Sequence, residues 1–160
     1  MAFETSLYIR FNHVDFARVV YFPKFFDYCH HIFEDFVQAE FGKSYHKLME
    51  EEGVGFPVVH AEADFKQTLR FGDTARVLLE VLSLGKTSLK CRYVFFRVEE
   101  GKEAEEGGGE GESAPTTQQK TTPSPAATLT LTGACVDMKT FKPTPIPARW
   151  RSMLAGHLQT

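Results

Sequence analysis

From Phe11 to Phe41 the chain reads F-N-H-V-D-F-A-R-V-V-Y-F-P-K-F-F-D-Y-C-H-H-I-F-E-D-F-V-Q-A-E-F, and no other stretch constrains the fold as much. Pro23 suits a first helical position, where its missing N–H is no loss and its φ is already helical. Apolar residues then recur at Phe22, Phe26, Cys29, Phe33, Phe36 and Phe41, with Phe25, Ile32 and Val37 widening the stripe. The spacing predicts one broad buried helix face, with Lys24, Asp27, His31, Asp35 and Gln38 on the other side. Gly42 is a natural stop. A helix this rich in phenylalanine needs a large apolar surface around it, with Phe33 expected in the core.

The rest of the chain supplies strands. Phe3–Phe11 alternates and reads as a first strand, and Asn12–Tyr21 as a loop before the helix. Lys43–Gly55 is a polar connector with a helical turn expected at Ser44–Glu51. Phe56–Phe71 reads as a long second strand closed by Gly72-Asp73, and Thr74–Leu84 as a third with Val77, Leu79 and Val81 on one face. After Gly85-Lys86-Thr87 comes a fourth, Ser88–Val98, with Leu89, Cys91, Tyr93 and Phe95 on one face. Period-two alternation of this kind marks antiparallel strands with one face on a core. A fifth strand is expected at Ala127–Thr140, then an extended proline segment to Pro147 and a short helix from Ala148 to His157. The class is α+β: a five-stranded antiparallel meander curling round the central helix.

One segment breaks the rhythm. Residues 99–126 hold seven Glu, two Lys and no aromatic residue. This composition buries too little to offset its ordering entropy, so a disordered low-complexity insertion is expected at about 100–126 within a single domain spanning 1–160. It contributes −5 of charge against the whole-chain −3, leaving +2 for the remainder. A mildly basic body suits a small anionic ligand and falls short of a nucleic-acid-binding stripe. No run of about 18 apolar residues predicts a membrane span. The N-terminus lacks the pattern of a signal peptide, and Cys29, Cys91 and Cys135 form no C-x-x-C pair. The expected compartment is therefore the cytoplasm.

The order of elements and four local stretches together resemble the hotdog fold of the 4-hydroxybenzoyl-CoA thioesterase-like acyl-CoA thioesterases. The stretches are F-N-H-V-D-F-A-R-V-V-Y-F-P-K-F-F, A-D-F-K-Q-T-L-R-F-G-D, G-K-T-S-L-K-C-R-Y and V-D-M-K-T-F-K-P-T-P-I-P. The resemblance implies hydrolysis of an acyl-CoA or acyl-carrier thioester by a homodimer or tetramer, with no cofactor beyond the coenzyme A of the substrate and no metal. It places the catalytic carboxylate at Asp15 and the carbonyl-polarising N–H at Phe22. His13, Arg18, Tyr21, Lys86 and Ser88 become substrate-binding residues, with Arg70, Lys90 and Arg92 near the phosphates. Two positions depart from the family: His13 stands where an Asp is frequent, and Arg18 where a small residue, commonly Gly, is usual. If that glycine needs positive φ, the arginine implies a changed loop.

The chemistry asks for a carboxylate near the carbonyl carbon and a donor for the developing oxyanion, which a helix N-terminus supplies from its unpaired N–H groups. Asp15 suits either general base or nucleophile; its plain alternative is a loop residue holding backbone N–H groups. Asp27, Glu34 and Asp35 are the carboxylates for a site on the helix itself. His60, Glu62 and Asp64 share a strand face, which fits a polar groove or subunit contact better than a metal site. A hotdog hydratase or dehydratase, favoured by an Asp–His pair, and a non-catalytic acyl-CoA-binding protein are the alternative functions.

Overall fold

The computed structural model describes residues 1–98 and 124–160. The expected insertion therefore lies outside the described residues, except for its last three positions. At Ala126 the expectation of nothing to bury fails. That residue is fully buried, its N–H donates to Phe95 O (2.7 Å), and its carbonyl accepts the Lys66 and Gln67 N–H groups.

The central helix, α1, runs Lys24–Phe41, with Pro23 already at helical φ/ψ and Gly42 left-handed at its end (φ 66°). Its buried residues are Phe25, Tyr28, Cys29, Ile32, Phe36 and Val37. Phe33 corrects the expectation: it is only partly buried, standing at 6.5 Å from Trp150 with the rings nearly parallel. A second helix, α2, spans Tyr45–Glu52 and is capped by the Ser44 hydroxyl, which accepts the Lys47 N–H. The last helix, α3, covers Ala148–Gly156.

Five strands, β1 (Phe3–Tyr8), β3 (Val58–Phe65), β4 (Thr74–Leu84), β5 (Ser88–Val98) and β6 (Ala127–Ala134), form one antiparallel sheet in the order β1-β4-β5-β6-β3. The short β2 (Val54–Gly55) and β7 (Val136–Asp137) pair separately. The meander holds only for β4, β5 and β6. Instead of turning back beside β4, β3 sits on the far edge against β6, and β1 takes the place next to β4. The expected long second strand stops at Phe65 because the next two N–H groups leave the ladder for Ala126. The expected fifth strand likewise breaks at Cys135, and the Asp137 carboxylate then gathers the Lys139 and Thr140 N–H groups (2.8 and 3.0 Å).

The alternation expected in β4 and β5 is observed: Val77, Leu79, Val81, Leu89, Cys91, Tyr93 and Phe95 are all buried. The helix touches both edges of the sheet, Phe25 meeting Phe65 of β3 (5.1 Å) and Phe36 meeting Phe3 of β1 (5.5 Å). No helix among the described residues is long and apolar enough to cross a membrane.

Candidate active site

The loop before α1 is a small hairpin. Val14 and Val20 form a bridge, the Asp15 N–H donates to Val19 O (3.2 Å) and the Tyr21 N–H to His13 O (3.0 Å). The ribbon is anchored by the Val20 N–H on Leu69 O (2.8 Å) and a bridge from Val19 to Arg70. Its tip turns tightly: the Arg18 N–H donates to Asp15 O (2.9 Å), and the Ala17 N–H to Asp15 Oδ1 (2.8 Å). Asp15 thus does what the plain alternative expected of it, yet remains exposed with Oδ2 free of hydrogen bonds among the described residues. Arg18 is one of the two non-glycine residues with positive φ among the described residues. Arg18 takes φ 65°, the left-handed conformation a glycine would adopt, at a cost of about 1–2 kcal/mol for an L-residue.

Where the loop meets the helix, the first turn is tight. The N–H groups of Lys24, Phe25 and Phe26 donate to the carbonyls of Tyr21, Phe22 and Pro23 (2.8, 3.2 and 3.1 Å). Pro23 has no N–H and Tyr21 spends its own on His13. The Phe22 N–H is therefore the one donor at this helix end with no acceptor among the described residues. Orphan N–H groups at the positive end of a helix dipole attract developing negative charge.

A cavity of about 670 Å³ opens one turn further along α1. Phe26, Cys29 and Phe33 line it on the helix side, and Phe56, Tyr93 and Leu131 on the sheet side. At about 100° per residue, Phe22, Phe26 and Phe33 lie within roughly 40° of one another around α1, whereas Phe25, Tyr28, Ile32 and Phe36 face the sheet core. The broad apolar stripe thus serves two surfaces: one packs the core, and the other leads about 16 Å from Phe22 into the cavity. Asp27, His30 and Glu34 edge it, with Asp27 paired to Lys24 (3.1 Å) and Glu34 to His30 (3.0 Å). Asp35 does not line it. Burial pushes the Cys91 thiol up to about 12 and raises Cys29 too, so neither is a nucleophile near neutrality.

Not every expected residue joins this site. His13, Asp15, Arg18, Tyr21 and Phe22 cluster at the loop. Lys86 and Ser88 sit in the turn at the opposite end of β4 and β5, on the order of 30 Å from it at strand rise. There the Lys86 carbonyl accepts the Ile146 N–H (2.9 Å) and the Arg151 guanidinium (3.2 Å). The cations beside the loop are Lys24, Arg10, Arg18 and Arg70; Lys24 pairs with Asp27, and the three arginines with no carboxylate among the described residues. His60 uses Nε2 on Glu62 (2.8 Å), and no group of three or more metal-binding side chains occurs among the described residues. His13 and Asp15 share no hydrogen bond among the described residues; His13 Nδ1 is instead engaged by the Arg10 N–H and the Tyr28 hydroxyl.

Residues 9–154 match the model of the thioesterase-like superfamily. A 1,4-dihydroxy-2-naphthoyl-CoA hydrolase of Crocosphaera subtropica is 33% identical over 88 residues, covering 55% of this chain and 64% of the relative. The chain thus spans somewhat under two thirds of the curated relatives it matches first. Among solved structures, a 1,4-dihydroxy-2-naphthoyl-CoA thioesterase from Synechocystis superposes with a TM-score of 0.74 at 21% identity, over 97% of this chain and 96% of that one. The dynemicin thioesterase superposes at 0.77 and 17% identity, over 100% and 99%. The fold is the hotdog fold.

Proposed function

The chain belongs to the thioesterase-like superfamily, and we propose that it hydrolyses the thioester of an acyl-CoA or acyl-carrier substrate. The observation that carries this reading is the Phe22 N–H at the head of α1, which has no acceptor among the described residues, next to a loop bearing an exposed carboxylate and ahead of an apolar cavity. With the thioester oxygen on that N–H, the acyl group follows the Phe22–Phe26–Phe33 stripe into the cavity. Asp15 takes a proton from water as the new C–O bond forms, the C–S bond breaks, and the departing thiolate is protonated to the free thiol. Direct attack by Asp15, giving a mixed anhydride that water then cleaves, reaches the same products. Neither route needs a metal or organic cofactor.

Coenzyme A phosphates are met on this chain by Arg10, Arg18 and Arg70. At about 30 Å, Lys86 and Ser88 reach them only from a second copy. A second copy is expected for another reason: β3 is an edge strand exposed along nearly its whole length, with Val58 and Val59 57% and 65% exposed. Such an edge pairs readily with its own kind. We take the assembly as a homodimer joined there, cytoplasmic in keeping with three free, buried thiols.

A panel of acyl-CoA esters of differing chain length and ring content, read by release of free thiol, tests the proposal. Turnover of at least one ester supports it; binding of esters without thiol release would make the chain a binding protein. One rival mechanism has its own support, since Asp27 and Glu34 edge the cavity: Glu34→Gln would then abolish turnover while Asp15→Asn spared it.

A further inference from the structure

His13 is held more firmly than a loop residue needs to be. Its Nδ1 accepts the Arg10 N–H (3.1 Å) and lies 2.8 Å from the Tyr28 hydroxyl. A backbone N–H can only donate, so Nδ1 carries a lone pair, and the ring proton is on Nε2. The Tyr28 hydroxyl therefore donates as well. Burial raises its pKa well above the ordinary 10.0, so it keeps its proton. Tyr28 is itself 1% exposed and packed between Phe25 (5.8 Å) and Phe95 (6.3 Å) in the sheet core. With Nδ1 turned towards α1, Nε2 on the other side of the ring points away from it. The His13 carbonyl accepts the Tyr21 N–H (3.0 Å), so His13 stands directly across the ribbon from the residue that precedes Phe22.

We propose that Tyr28 is a positioning residue that, with the Arg10 amide, holds His13 as a neutral Nε2–H donor towards the thioester oxygen, beside the Phe22 N–H. This rests on the thioesterase reading. The ring donates a hydrogen bond and keeps its proton throughout; no proton transfer is asked of it. The charges around it favour the neutral form: desolvation first, then Lys24, Arg10 and His31, lower its pKa below 6.5, with Asp27 opposing weakly. A cationic ring would pair with Asp15 and blunt the carboxylate, so neutrality serves both groups.

The test combines nitrogen NMR of ¹⁵N-histidine-labelled protein with steady-state kinetics. In the wild type His13 should show the Nε2–H tautomer at pH 7, and Tyr28→Phe should shift it towards a mixture. Tyr28→Phe should lower kcat about tenfold with KM unchanged, and His13→Ala about a hundredfold, the loss expected for one oxyanion donor. His13→Gln, which keeps an N–H and leaves the core untouched, should recover most of that loss. An Nδ1–H or cationic His13 in the wild type overturns the inference, as does a kcat unmoved by Tyr28→Phe and His13→Ala. Absence of turnover in the wild type overturns the thioesterase reading instead; the tautomer measurement then still decides how His13 is held.

Discussion

Arg18 closes the turn onto Asp15, its N–H donating to the Asp15 carbonyl at 2.9 Å while its own φ stands at 65°. The backbone keeps a conformation suited to glycine and carries an arginine in it. Arg18→Gly should therefore raise stability by up to about 1 kcal/mol, a few degrees in Tm, because the left-handed penalty exceeds the added chain entropy. If the guanidinium meets coenzyme A phosphates, the same variant should raise KM several-fold with little change in kcat. Thermal melts and kinetics on one acyl-CoA read both effects, and a lower Tm would show that the arginine earns its place by packing.

Asp15→Asn keeps the side-chain volume and the oxygen that holds the Ala17 N–H, but cannot act as base or nucleophile. The variant should fold as the wild type and still bind acyl-CoA, with kcat lower by roughly 10²–10⁴. Retention of more than about a tenth of wild-type kcat would move the chemistry to Glu34 or Asp27.

Phe36 and Phe33, three residues apart on α1, should differ sharply. Phe36 is fully buried and meets both Phe3 and His157, so Phe36→Ala should cost about 3–5 kcal/mol in chemical denaturation. Phe33 lines the cavity, and Phe33→Ala should cost clearly less stability while changing which acyl groups are turned over. Equal destabilisation would contradict the division of the helix into a core face and a cavity face.

The depressed pKa of His13 has a thermodynamic consequence. Its folded value lies below the 6.5 of the free side chain, so below that pH the unfolded chain binds the proton more readily than the folded one. Its contribution to stability is present above pH 6.5 and is lost as pH falls through the folded value. Denaturation midpoints of wild type and His13→Gln should accordingly converge between pH 7.5 and 5, to be checked at matched ionic strength. A gap that widens on acidification would mean that His13 is stabilised as the cation.

A homodimer across β3 predicts a solution mass of twice 18.1 kDa by light scattering. Val59→Lys, which puts a charge on the exposed edge, should shift the protein towards monomer. An unchanged mass would place the interface elsewhere.

Local pattern determined much of this protein. Helical spacing from Phe22 to Phe41 marked α1 and its stop at Gly42, and period-two alternation marked β4 and β5 at their observed limits. These signals are readable because each records which face of a single element is turned from water. The residues of the loop, Asp15 and His13 among them, stood out through their resemblance to a family pattern. What pattern could not decide is what lies opposite. Phe33 and Phe36 carry the same side chain on one stripe, and only the packed sheet makes one a core residue and the other a cavity wall. The place of β3 beside β6 depends on ladder partners about 70 residues away in the chain, and the end of that strand on a carbonyl at Ala126. The Phe22 N–H without an acceptor among the described residues and the Tyr28–His13 contact also emerge only when hairpin, helix and core are assembled, because a hydrogen bond belongs to two groups and the sequence shows one at a time.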